Sequence, residues 1–269
     1  MPGEALSETE LLVTFDSTPA PTPEAASFHL RALELAIGPP ATETTLPDDA
    51  ELMAEFESLG DDCEFGFVQR HYGIEPLGIF RFAGTRHLGN LLRLLETDLE
   101  GMGAPGSLTA TLRDAHIYRH PEPPLVVREF MMDHGRLGLN FHTFRGPDVV
   151  SEEEAKQENE QKLRYLRRKF LEDLEDGQKI WLLRDARRQD VNEAFAFQTA
   201  LNRKGRNKLF WITRTIEGRP AGSVEWIGED LLRGYLDQQH LDAQIFTPEI
   251  WLELCRHAWR AFAEREAAR

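Results

Sequence analysis

The sequence predicts an α/β fold: a mainly parallel sheet with helices on both faces, plus an antiparallel β-ribbon insertion. Three observations carry this expectation. Residues 179–183 (KIWLL) and 208–212 (KLFWI) are continuous apolar runs, as expected of strands buried on both faces. Segments of helical spacing, 192–201 and 229–239, alternate with them, and such alternation covers a parallel sheet with crossover helices. Between residues 107 and 144 the periodicity changes to two, with Asp133-His134-Gly135 as a hairpin turn, which describes an antiparallel ribbon.

Taken in order, the chain begins with an acidic leader rich in Pro, Thr and Ala over residues 1–50. Nine Asp and Glu stand there against the single Arg31, about half of the formal charge of -15. A short strand at 11–15, a linker at 16–23 (DSTPAPTP) and a helix at 24–37, stopped by Gly38-Pro39-Pro40, give it the character of a connector to a neighbouring domain. Residues 51–269 are then expected to form a single α/β domain.

An apolar run at 54–59 reads as a strand, and Gly60 supplies the backbone freedom for a strand-to-helix turn. Asp61 or Asp62 is the expected N-cap of a helix closed by Gly73. Cys63 falls in its first turn, where unpaired N–H groups and the helix dipole favour an anion. That position suits an activated thiolate, with the same N–H groups holding an oxyanion, and it equally suits a packed cysteine at a helix start. After a loop at 75–83 carrying Arg81, either an anion clamp or a surface arginine, comes a helix at 85–99. Thr85 is its expected cap, and Leu88, Leu91, Leu92, Leu95 and Leu99 form its buried stripe.

The ribbon follows as strands at 109–118, 124–132 and 136–144 (RLGLNFHTF). His142 lies on the last of these, where a well-held imidazole serves as a general base or, more plainly, as a core or edge histidine with a backbone partner. His116 and His120 are four residues apart, but strand spacing separates them by ~13 Å, which excludes a shared metal ion. The longest helix spans 151–176, with Ser151 and Glu154 as a capping box. Its basic run, Lys162, Arg164, Arg167, Arg168 and Lys169, reads as a solvated face with ion pairs or as a phosphate or sulfate site. The strand at 179–183 runs into Arg184 and Asp185, at the carboxyl edge of the sheet where Cys63 also lies. Asp185 is a candidate to orient His142, or a cap for the next turn. A strand at 224–227 precedes the 229–239 helix, and a final helix at 247–268, with Pro248 in its first turn, holds Cys255 on its apolar side.

Composition narrows the functional classes. An excess of acid argues against a nucleic-acid surface, and two cysteines make neither a disulfide framework nor a zinc cluster, so no metal or cofactor is implied. No apolar run approaches the ~20 residues of a membrane span, and no secretion signal is present, so the cytoplasm is the expected compartment.

With Ser58-Leu59-Gly60-Asp61-Asp62-Cys63, a later His-bearing strand, and the Arg-rich stretch YLRRKFLEDLEDGQKIWLLR, the chain resembles a bacterial domain family described as papain-like cysteine peptidases. The resemblance covers roughly residues 54–215 and extends to the form SLGDxCEFGxVQR, which closes on Gln69 and Arg70. It implies Cys63 as nucleophile, His142 as base and Asp185 as orienting residue, in a hydrolase or acyl transferase acting on a small-molecule or peptide/acyl substrate. In that reaction His142 deprotonates Cys63, the thiolate attacks a carbonyl, and N–H groups of residues 62–64 hold the oxyanion. The alternative is a non-catalytic or glycan-related domain in which Arg81 and Arg184, with Gln69 and Arg70, bind an anion such as a sugar phosphate.

Overall fold

The computed structural model describes residues 46–60, 63–85, 87–185, 190–237 and 247–269. The leader elements expected within residues 1–45 lie outside these, as do Asp61 and Asp62; the N-cap position expected of one of those two aspartates is held by Cys63, directly before the helix at Glu64–His71.

Strands buried along nearly their whole length build the main sheet. It has five strands: β1 (Phe56–Ser58), β6 (Ile180–Arg184), β7 (Lys208–Thr213), β9 (Leu231–Tyr235) and β8 (Val224–Trp226), in the order β1-β6-β7-β9-β8. The first four are parallel, while β8 pairs antiparallel at the edge. Successive residues of β6 serve opposite cores. Trp181 and Leu183 pack with α3 (Leu88–Glu96), α4 (Glu152–Asp176) and α5 (Val191–Leu201) on one face. Ile180 and Leu182 pack with α1 (Asp49–Ala54), α2 (Glu64–His71) and α6 (Pro248–Ala267) on the other. Helices on both faces are what a strand buried on both sides requires.

The second sheet is antiparallel, ordered β2-β5-β4-β3, with β2 (Ala83–Thr85), β3 (Thr109–Ile117), β4 (Leu125–His134) and β5 (Leu139–Phe141). This is the expected ribbon, with two changes. The third strand is only Leu139–Phe141, because residues 135–138 turn and Gly138 takes φ 67°. Ala83–Thr85, expected as loop and helix start, adds a fourth strand against β5. Thr85 is therefore not the cap of α3. Its hydroxyl donates to the carbonyls of His87 and Gly138, and His87 occupies the cap position.

The largest correction is at 229–239. Within it Leu231–Tyr235 forms β9, in register with Leu209–Thr213 of β7. The stretch LLRGYL has helical spacing, yet its leucines and tyrosine are buried, and Gly234 lets Phe210 of the neighbouring strand approach closely, where a Cβ would stand 2.6 Å from the ring. Tertiary pairing overrides local propensity here. Capping was read more reliably at α4, where Ser151 and Glu154 make the reciprocal capping box and Gly177 closes the helix at φ 67°.

Candidate functional site: a basic cleft backed by a Glu–His pair

Glu129 organises the site from beneath. It sits in β4 in phase with Val127 and Met131, and it is fully buried. One carboxylate oxygen accepts the backbone N–H groups of Thr143 (3.0 Å) and Phe144 (2.6 Å), and the other meets Nδ1 of His142 at 2.5 Å. A buried carboxylate needs this many donors to remain in a low-dielectric interior. The strand end it ties down is strained, since Phe144 adopts φ 54°, a left-handed conformation costing a bulky residue about 1–3 kcal/mol. Stacking of the Phe144 and His142 rings, 5.3 Å apart and nearly coplanar, together with edge contacts to Phe67 and Phe82, holds that conformation in place.

His142 lines a cavity of about 370 Å³ between the end of α2, the loop at 75–82, the end of β5, and α4. Cations dominate its polar lining, with Arg70, Arg81 and Lys162 facing the single carboxylate of Glu75. The guanidinium of Arg70 lies over the rings of Phe67, Phe82 and Phe144, at 5.7, 4.9 and 5.4 Å, and its Nε donates to Glu75 at 2.5 Å. Its two Nη groups have no acceptor among the described residues. Arg81 is buried, paired with Glu75 through Nη1 and with the carbonyls of Gly66 (3.0 Å) and Ile74 (3.1 Å) through Nη2. Its buried Nε has no acceptor among the described residues.

Lys162 makes no ion pair among the described residues. Loss of water within the cleft and the charge of Arg81 both push its pKa below the ordinary lysine value, against the pull of Glu75. Glu75 is shifted down. Partial burial works against this, but hydrogen bonds from Arg70 and Arg81 and the charges of both outweigh it. Leu163, Leu166, Phe82 and Phe144 give the cleft an apolar wall beside these charges.

The sequence-derived candidates separate into two groups. Arg70, Arg81 and His142 converge on the cleft, whereas Cys63, Gln69, Arg184 and Asp185 are not among its lining residues. Cys63 occupies the N-cap of α2, 6% exposed, within the core formed by α1, α2 and α6. Asp185 is buried just beyond β6, next to the strand that leads to Cys63, and its N–H donates to Ile212. The carboxylate that meets Nδ1 of His142 is that of Glu129.

Two of the expected ligand contacts are buried against protein partners. The Gln69 amide is 1% exposed and donates to the carbonyls of Met53 and Phe56, fastening α2 to α1 and β1. Arg184, 3% exposed, is ion-paired with Glu64 and lies over Trp251, whose indole donates to the same carboxylate at 2.8 Å. Sequence reasoning missed Glu129 as a site residue and carried Lys162 only as one member of a basic run. An acidic residue in phase with Met131 on a strand was the available signal for the first, and Lys162 was hidden in a basic run.

Among the described residues no cluster of three or more His, Cys, Asp or Glu is placed to hold a metal ion, and no helix is long and apolar enough to cross a membrane. Compared with protein-family models, curated proteins and solved structures, the chain matches none of them.

Proposed function

We propose that the chain binds a phosphate-bearing small molecule in the cleft, with the phosphate against Arg70 and Lys162 and the body of the ligand along the apolar wall. The observation that supports this is the convergence of Arg70, Arg81 and Lys162 on one cavity of about 370 Å³ with only Glu75 to balance them. A volume of that order accommodates a sugar phosphate, and an anion offsets the loss of water and the Arg81 charge that together lower the Lys162 pKa. Arg81 is the buried anchor, positioning Glu75, which in turn aims Arg70.

Thermal shift and calorimetry with glucose 6-phosphate, glucose and inorganic phosphate test it. The phosphorylated sugar is expected to raise the melting temperature while glucose does not, and Lys162→Gln is expected to weaken binding about tenfold. Equal responses to the two sugars, or unchanged affinity in Lys162→Gln, would sink the reading.

Cys-His acyl-transfer chemistry is the second reading. It is favoured by Cys63 and Asp185 following the adjacent parallel strands β1 and β6 at their carboxyl ends, where sites of such sheets collect. The rate of iodoacetamide alkylation against pH measures it. Cys255 is fully buried with its thiol pKa pushed far up, so native-state labelling reports Cys63. A midpoint well below about 8.5 that rises in His142→Ala supports a thiolate pair. Alkylation seen only on unfolding removes that reading and leaves the binding function as it stands.

A further inference from the structure

The cleft places a base beside the cations. With Nδ1 of His142 turned onto the buried Glu129 carboxylate, the neutral imidazole carries its proton there, and Nε2 is left with no partner among the described residues. Glu129 itself is spent on His142, Thr143 and Phe144, so it acts on a ligand only through the ring. A side chain 24% exposed, stacked on Phe144 and lining the cavity, is fixed in direction yet open to what binds there.

We infer that the cleft hydrolyses a phosphodiester, with His142 Nε2 as the general base toward water and Glu129 as its positioning residue. The inference rests on the phosphate-binding reading of the same cleft.

As the water oxygen forms its bond to phosphorus, Nε2 takes the water proton, and the P–O bond to the leaving alcohol breaks opposite. The leaving alkoxide takes a proton from solvent and the imidazolium releases its own to solvent, so the sum is diester plus water giving monoester plus alcohol. Charge builds on the non-bridging oxygens in the transition state, and Arg70 and Lys162 stand where that charge would develop. Glu129 contributes by holding the tautomer and stabilising the imidazolium as it forms. This chemistry uses no thiol and is separate from any role of Cys63.

Bis(p-nitrophenyl) phosphate is the probe, since its aryl groups suit the apolar wall and its release of p-nitrophenol is read directly. Turnover is expected at neutral pH, with kcat falling about 100-fold or more in His142→Ala, while p-nitrophenyl phosphate still raises the melting temperature of that variant. In Glu129→Gln kcat is expected to fall about tenfold or more with KM little changed, because the ring loses the group that holds its tautomer and direction; a merely structural role would lower the amount of active protein without changing kcat per folded molecule. Should Glu129→Gln fail to fold by circular dichroism, Glu129→Asp draws the carboxylate back from Nδ1 by one methylene and is expected to lower kcat in the same way, with KM little changed.

Absence of turnover while p-nitrophenyl phosphate binds overturns the hydrolysis and leaves the binding reading intact, whereas absence of both overturns the two together. Turnover unchanged in His142→Ala, or kcat unchanged in the folded Glu129 variant, also overturns it.

Discussion

Glu57 is a carboxylic acid in the wrong place for a charge. It is 5% exposed in β1, with the ammonium of Lys169 at 3.7 Å, and burial raises its pKa from 4.5 to about 7 despite that neighbour. Between those two values the folded protein holds a proton that the unfolded chain releases. Stability from this group is therefore full below about pH 4.5 and is lost as pH rises through about 7. Glu57→Gln removes the ionisation while keeping the shape. It is expected to stabilise the protein at pH 8 by on the order of 1–3 kcal/mol and to change little at pH 5, as read from urea unfolding at the two pH values. An equal effect at both would show that burial of the charge is not what matters. No apolar pattern marks Glu57 in the sequence, where it alternates with Phe56 and Ser58 in a strand too short for its parity to be read.

At the scale of elements, α2 is the piece on which the rest converges. Every residue from Glu64 to Gln69 is buried, an arrangement possible only for a helix wedged between the main sheet, α6 and the loop that carries Arg81. Gly66 permits the last of these contacts. A Cβ there would stand 2.7 Å from the Phe82 ring and 2.8 Å from the Arg81 carbonyl oxygen, closer than real atoms approach. Alanine is the better helix former by about 1 kcal/mol, yet the backbone oxygen cannot retreat without moving the strand behind it. Gly66→Ala is expected to destabilise by about 1–3 kcal/mol net and to weaken sugar-phosphate binding, because displacing residues 81–82 disturbs both Arg81 and the ring under Arg70. Urea unfolding and calorimetry on the variant check the two effects; a gain in stability would mean that helix propensity outweighs the close approach.

For the whole molecule, the parallel sheet was legible because KIWLL and KLFWI are buried on both faces and admit one reading, and the long helix because its capping box and closing glycine are local chemistry. The strand at Leu231–Tyr235 was not legible, since its place is decided by Phe210 on another strand. The cleft was legible only in part. Arg70, Arg81 and His142 were singled out one at a time, but their convergence depends on β2 pairing with β5, and the Glu129–His142 contact on the end of β5 running back beside β4, neither of which leaves a motif. That same geography has a kinetic consequence. Phe56 pairs with Ile180, and the entire second sheet lies in the stretch of chain between them, so closing this loop costs more entropy than closing the β3–β4 ribbon, which forms over short distances. The cleft borrows one wall from α2, which follows β1, and another from α4, which leads into β6. Until the ends of that loop meet there is nothing for a ligand to hold, and once they have met a ligand braces the two walls together. Such a ligand lengthens the lifetime of the native state by slowing its opening and leaves the rate of its assembly nearly untouched.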